Sequence, residues 1–365
     1  MSRNSSYFSC IFLVLCLAGA FAASAFGQEK DKLPKAAKEK IHPPIPGEGT
    51  PGFFNGDGVT SEKSIMVDGN VAIKLCVSEG NLRINGWRRD EVRVFVKNGR
   101  KFHLKPLEKS AESGKVNWLW MGNIVEGRPG PSSECMAGDS IEIDAPVGSN
   151  FDLSGRAART AIDSVKRVKV KIVEGVITLR NITGGINAYT SQGDVMVENS
   201  GGAIALESTT GNIVAVEVSP GQIGDLLRAK TNSGTISLQK VEHRQIEASS
   251  ISGSLLFDGK FLTGGIYNFR TSNGSIRLAI PALSSCTFTT TYGEGAFHSE
   301  IPLKILTENV TPRAKIVVSK IGTGEATVNL TTSNGSISIR KTVTTPKIIG
   351  RVKKNRKTKQ TVAMR

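Results

Sequence analysis

From Gly175 onward, apolar and polar positions alternate in short bursts that restart at fixed intervals. Gly175, Gly184, Gly193, Gly202 and Gly211 stand nine residues apart. After each glycine, the second and fourth residues are apolar: Ile177 and Leu179, Ile186 and Ala188, Val195 and Val197, Ile204 and Leu206. The intervening residues are mostly small or polar. A period of two over about five residues predicts a β-strand with one buried face. The segments between strands read NITG, TSQG, NSGG and STTG, turn residues with a glycine free to take positive φ.

The unit returns at Gly234 (NSGTISL), Gly253 (ISGSLLF), Gly274 (SNGSIRL) and Gly335 (SNGSISI), and EGNLRI at Gly80 is an earlier copy. The steps 193→211, 211→234, 234→253 and 253→274 are 18, 23, 19 and 21 residues. A step of about twenty suits one coil of a solenoid built from short strands. One unit cannot bury its apolar face alone, whereas stacked coils can. The expected fold is therefore all-β, a right-handed β-solenoid or β-helix-like stack. An antiparallel β-sandwich of hairpins is the rival architecture. No amphipathic helical stretch of useful length stands out.

The ends of the chain differ from this body. Arg3, the apolar run Ile11 to Ala23, and Ala23-Ser24-Ala25 compose a charged start, an apolar core and an A-x-A cleavage site. Residues 1–27 thus read as a signal peptide cut after Ala25 or Gly27, with no membrane span left after cleavage. Residues 28–60 read as a disordered linker, because HPPIPGEGTPG and NGDG carry no hydrophobic period. Residues 61–340 read as the repeat domain, with 97–135 as an insertion or cap. Residues 341–365 read as a basic disordered tail. The formal charge is +15. One charge belongs to Arg3 and ten to residues 340–365, which hold no acid, so the body between them carries only +4.

Export places the mature chain in an oxidising compartment: the periplasm, the outer surface or the medium. Removal of Cys10 and Cys16 would leave Cys76, Cys135 and Cys286. Either Cys76 and Cys135 pair in a disulfide, or all three remain unpaired buried thiols.

GNLRINGWRRDEVRVFV (80–96), IEIDAPVGSNFDL (141–153), the chain of TSxG-x-I-x-I units and the closing TTSNGSISIRK resemble the bacterial putative-adhesin family. That family comprises exported β-strand-repeat proteins and is a domain-of-unknown-function family. The likeness covers about residues 61–340. It implies an envelope-associated solenoid of unsettled biochemistry, and it brings no catalytic residues to carry over. Residues 97–135 and the tail beyond Lys341 depart from its pattern.

The turns hold Ser, Thr, Asn and Gln, with Asp194 an exception, so a calcium-binding roll of G-G-x-G-x-D turns is not expected. Glu198, Glu207 and Glu217 fall near strand ends, where Glu198 and Glu217 could stack one coil apart for glycan cleavage. Arg180, Gln239, Asp258 and Arg340 take the same position after the glycine, as a solvated rim would. His42, His103, His243 and His298 are scattered, and no C-x-x-C occurs. No cofactor, metal or catalytic residue is expected.

Three features point to binding. Trp118 and Trp120 share one face of VNWLW and either cap the solenoid or meet a sugar ring or lipid interface. In VKRVKVKIV, Val168, Val170 and Ile172 alternate with Arg167, Lys169 and Lys171, either a wet edge or an anion-facing patch. In the tail, Arg351, Lys353, Lys354, Arg356, Lys357 and Lys359 form a basic run suited to anionic envelope material. It lacks aromatics for base stacking, and nucleic acid is a poor partner for an exported chain. The expected function is a non-enzymatic, adhesin-like binding or structural module of the cell envelope. Its partners would be an envelope glycan, an anionic lipid or another envelope protein, and its oligomeric state is open. A glycan-active β-helix lyase or hydrolase, or a self-assembling envelope scaffold, is the alternative.

Overall fold

The computed structural model describes residues 59–123 and 135–342. Among these, every regular element is a strand, and no helix is long and apolar enough to cross a membrane. The chain opens with β1 (Val59–Trp87), β2 (Glu91–Gly99), β3 (Phe102–Lys109), β4 (Val116–Asn123), β5 (Met136–Pro146) and β6 (Asn150–Asp163). Longer and shorter strands then alternate: β7 (Arg167–Glu174), β8 (Ile177–Arg180), β9 (Ile186–Gln192), β10 (Val195–Glu198), β11 (Ile204–Thr210), β12 (Ile213–Val216), β13 (Leu226–Ser233), β14 (Ile236–Gln239), β15 (Gln245–Ser252), β16 (Leu255–Asp258), β17 (Ile266–Asn273) and β18 (Ile276–Ile280). The last six are β19 (Cys286–Glu294), β20 (Phe297–Ser299), β21 (Lys304–Val310), β22 (Lys315–Ile321), β23 (Ala326–Asn334) and β24 (Ile337–Lys341). Strand β1 begins inside what the sequence reads as the end of the linker.

The strands stack in two parallel ladders. The long ladder runs β6, β7, β9, β11, β13, β15 and β17. The short ladder runs β6, β8, β10, β12, β14, β16 and β18. Strands β1 and β6 bend from one ladder into the other and so belong to both. Two nine-residue units therefore make one coil, and the 18-residue step is the register itself: Val168 pairs with Ile186, and Ile186 with Ile204. The chain is a β-solenoid, not a sandwich of hairpins.

Its core follows from the alternation. Ile186, Ala188, Ile204, Leu206, Leu227 and Ala229 point inward from the long ladder. Val195, Val197, Ile213, Ala215, Ile236 and Leu238 do so from the short one, all within one buried cluster. Each fully buried Val, Leu or Ile contributes about 1.5–3 kcal/mol. Toward the C-terminal coils the core turns aromatic. Phe261 stacks on Phe257 with ring centroids 5.1 Å apart and meets Tyr267 at 4.6 Å. Tyr267 accepts a hydrogen bond from the Leu262 backbone N–H.

The [Ser/Thr]-x-x-Gly signature between long and short strands has a hydrogen-bonding cause. Ser208, Thr231, Ser250 and Thr271 point inward, and each hydroxyl donates to a glycine carbonyl one coil earlier: Gly193, Gly211, Gly234 and Gly253, at 2.8–3.1 Å. A buried hydroxyl is thereby satisfied in each of these four coils, and each such bond is worth about 1 kcal/mol. At the opposite corner, Asn181 and Asn199 take φ near +50°. Their amides stack across coils, Asn199 Nδ2 to Asn181 Oδ1 at 2.6 Å.

Stacking order departs from chain order at both ends. Strand β23 lies between β17 and β19, and β24 between β18 and β20. Strand β1 lies between β6 and the later pair β4 and β5. Antiparallel strands then close the ends: β3 on β4, β2 on β5, and β22 with β21 on β19. Edge strand β3 carries Lys105, Pro106 and Lys109, which discourage further pairing. Cys76 of β1 and Cys135 form a disulfide, and Cys286 is a buried free thiol.

Candidate binding face

The outward side of the long ladder collects the binding residues expected from the sequence. Strands β4, β1, β6 and β7 are consecutive neighbours there. One row across them reads Trp118, Ala72, Asn150, Arg167, and the next reads Trp120, Lys74, Asp152, Lys169. The tryptophan rows and the basic rows thus share one face, about 14 Å apart at the strand spacing. Trp118 is 41% exposed, and Trp120 is half-buried, its ring lying over Gly122. Val168, Val170 and Ile172 are buried, while Arg167, Lys169 and Lys171 are exposed. Trp87 lies elsewhere, half-buried, with the guanidinium groups of Arg89 and Arg93 over its ring. The signal segment, nearly all of the linker, and Arg351, Lys353, Lys354, Arg356, Lys357 and Lys359 lie outside the described residues.

The basic rows continue further than Arg167–Lys171. From β1 to β17 the outward positions carry Lys74, Arg167, Lys169, Lys171, Arg228, Lys230 and Arg270 against Asp152, Glu207 and Glu247. Each carboxylate has a cation: Lys169 at 3.3 Å from Asp152, Lys230 at 3.5 Å from Glu207, and Arg228 at 2.9 Å from Glu247. These pairs are solvent-exposed and contribute at most about 1 kcal/mol each. Their larger effect is to leave the face with surplus positive charge. Arg228 and Lys230 escaped the sequence reading. The five-residue enlargement of the 211→234 step hides their alignment with Lys169 and Lys171.

Within this face lies a groove of about 500 Å³. Its floor is Gly185, Asn187, Ala203 and Ala205, where β9 and β11 present short side chains. Arg167 and Lys169 wall one side, and Leu226 and Arg228 the other. Arg167 is positioned by its Nε–H, which donates to the Gly184 carbonyl at 3.1 Å. In the next row along the strands, the Lys171 ammonium lies 5.4 Å from the centre of the Tyr189 ring, and Glu207 pairs with Lys230. That row of longer side chains succeeds the small-residue floor along the strands, and Gly184 and Gly185 border the groove at its other end.

Behind the groove, residues 217–225 loop outward, and His243 fills the space. Its ring is fully buried, Nε2 lies 2.9 Å from the Gly202 carbonyl, and Nδ1 has no partner. Burial lowers its pKa from the ordinary 6.5, opposed by the bond to Gly202 and by Asp225. The folded state therefore disfavours the imidazolium. The resulting stability is complete above pH 6.5 and declines as pH falls below it. The urea midpoint of the protein is expected to drop between pH 6.5 and 5 more steeply than that of His243→Gln. Parallel pH profiles would refute this assignment.

The glutamates considered for glycan cleavage do not converge. Glu198 pairs in register with Val216, so it does not stack on Glu217, which takes the positive-φ corner position aligned with Asn199. Glu198 bonds Arg180 at 3.0 Å, Glu217 bonds Lys240 at 2.5 Å, and Glu207 faces out of the other ladder. The Lys240 partner lowers the Glu217 pKa. Among the described residues no cluster of three metal-ligating side chains occurs.

Comparison with known proteins finds a family model that matches the C-terminal part of the described chain. Residues 216–340 match the Toastrack DUF4097 family. The resemblance seen in the sequence, to a putative-adhesin family of unknown function, agrees with it. Among solved structures, one similar chain is a putative cell adhesion protein from Clostridium sporogenes, with 13% identity over 78% of this chain and 100% of that one, at a TM-score of 0.19. Another is a putative adhesin from Parabacteroides merdae, with 13% identity over 79% of this chain and 98% of that one, at a TM-score of 0.32. No curated protein matches this chain. The Toastrack match takes in the C-terminal wall of the groove, Leu226 and Arg228, and stops short of Arg167 and Lys169.

Proposed function

We propose that this chain is an exported, non-enzymatic binding module of the cell envelope. It would hold anionic envelope material against the outward face of the long ladder. The observation that carries this reading is the convergence on that face of Trp118 and Trp120 with seven cations facing three carboxylates. Cations fixed in rows at ~4.8 Å spacing suit a repeating polyanion better than a single ion. The basic run from Arg351 to Lys359 supports a second, purely charge-driven contact, worth about 1 kcal/mol per basic residue near an anionic surface. Its site of action would be the periplasm, the outer surface or the medium.

The test is retention of the purified protein on acidic envelope glycans and on anionic vesicles, at low and high salt. A charge-reversed variant, Lys169→Glu with Lys171→Glu, is compared with removal of residues 343–365. The face reading expects the double variant to lose at least tenfold in affinity while its melting temperature holds. If only the tail deletion weakens binding, the solenoid face is not the binding surface.

A further inference from the structure

We propose that the groove between Arg167–Lys169 and Arg228 is a chain-end site for an acidic sugar, a carboxylate-bearing pyranose at the terminus of an envelope glycan. This rests on the binding-module reading above and sharpens it to one site and one ligand class.

The shape argues for a chain end. A volume of about 500 Å³ is at the lower end of the range for ligand pockets and suits one or two sugar rings. On this reading the sugar chain ends against the bulkier row of Lys171, Tyr189, Glu207 and Lys230, which succeeds the small-residue floor along the strands. The sugar then enters over the Gly184–Gly185 corner, beside Lys166 and Arg167. The floor argues for a ring. Ala203, Ala205 and Gly185 offer a flat apolar surface to the C–H face of a pyranose, and the Asn187 amide lies on the same floor to meet a hydroxyl. The walls argue for the charge. Arg167 spends its Nε–H on Gly184, which leaves the outer edge of its guanidinium as a fork that fits a carboxylate bidentately. Arg228 donates its Nε–H to Glu247 on β15, the neighbour of β13 on the side away from the floor. Arg167 therefore supplies the pre-oriented fork at one wall of the small-residue floor, and Arg228, paired with Glu247, adds positive charge at the other.

The probe is a glucuronic-acid-terminated oligosaccharide, titrated calorimetrically into the purified protein. Its carboxyl-reduced counterpart, inorganic phosphate and anionic vesicles are run beside it. Ala205→Trp fills the floor from an outward, half-exposed position and leaves the core untouched. The inference expects the acidic sugar to bind, the reduced sugar to bind at least tenfold more weakly, and Ala205→Trp to abolish binding with an unchanged melting temperature. Arg228→Ala is expected to lose tenfold or more. Equal affinity for both sugars would overturn the acidic-ligand assignment. Full binding by Ala205→Trp would remove the groove while leaving the wider face reading intact, provided that the Lys169→Glu, Lys171→Glu variant still loses envelope binding. Vesicle or phosphate binding that competes with the sugar and vanishes in Ala205→Trp would transfer the site to phosphate groups and overturn the sugar. No binding of the acidic sugar overturns the inference outright.

Discussion

Replacing Gly234 by Ala is expected to cost more than about 4 kcal/mol and to abolish cooperative unfolding of the central coils. The reason is local and geometric. Gly234 has φ +152°, and a Cβ there would stand 2.0 Å from the Gly211 carbonyl oxygen and 2.6 Å from its carbon. Both contacts are backbone, so no side chain can swing aside. The backbone itself is pinned: Gly234 N–H donates to Ser252 at 2.9 Å, and the Gly211 carbonyl accepts from Thr231 at 3.0 Å. The φ alone costs an L-residue about 1–3 kcal/mol, and relieving the overlap must break ladder bonds to the coils on either side. Gly224→Ala is the control. It has φ +94° but open space around it, so only the conformational cost of about 1–2 kcal/mol remains. Urea unfolding followed by far-UV circular dichroism separates the two. Equal losses in the two variants would show that the stacked glycine column is not a steric requirement.

That column was legible in the sequence as a spacing, and its cause was not. The Gly-x-apolar-x-apolar register predicted the buried pairs Ile177–Leu179 and Val195–Val197 correctly, because alternation in a strand maps directly onto burial. The preceding Ser or Thr read as an ordinary turn residue. Only stacking shows that it donates to the carbonyl one coil earlier, a relation between residues about twenty apart. The order of the coils was also hidden. Strand β23 follows β19 in the chain yet lies inside it, and no local pattern distinguishes an inner coil from an outer one of the same composition. The candidate binding face was half visible. Arg167, Lys169 and Lys171 declared themselves by alternation within one strand. Arg228 joined them only through the register Ala205–Arg228, which follows a corner enlarged by residues 217–225. The groove is an absence of side-chain volume at Gly185, Asn187, Ala203 and Ala205. An absence shared by two strands has no signature in either one.

Breaking the Cys76–Cys135 disulfide is the second large effect expected. The two residues are 59 apart in sequence, and the chain-entropy model gives such a closure about 4 kcal/mol at 25 °C. The loss should be local. The closed loop contains β2, β3 and β4, which cap the N-terminal end of the solenoid, whereas the coils from β7 to β18 contact chiefly their neighbours in the stack. All three tryptophans, Trp87, Trp118 and Trp120, lie at that end, so their fluorescence reports the cap while circular dichroism reports the whole. Cys286 does not confuse the experiment. Burial pushes its thiol up to about 12, which keeps it protonated and unreactive at neutral pH. In Cys76→Ser with Cys135→Ser, or under reductant, the fluorescence midpoint is expected to fall well below the circular dichroism midpoint. In the oxidised protein the two should lie closer together. A fluorescence transition that does not move would mean that β1, pinned between β6 and the β4–β5 pair, holds the cap without the covalent bond. If it does move, binding that depends on Trp118 and Trp120 should weaken under reductant, while acidic-sugar binding in the groove between β7 and β13 persists. The one face would then divide into a redox-sensitive end and a redox-insensitive site.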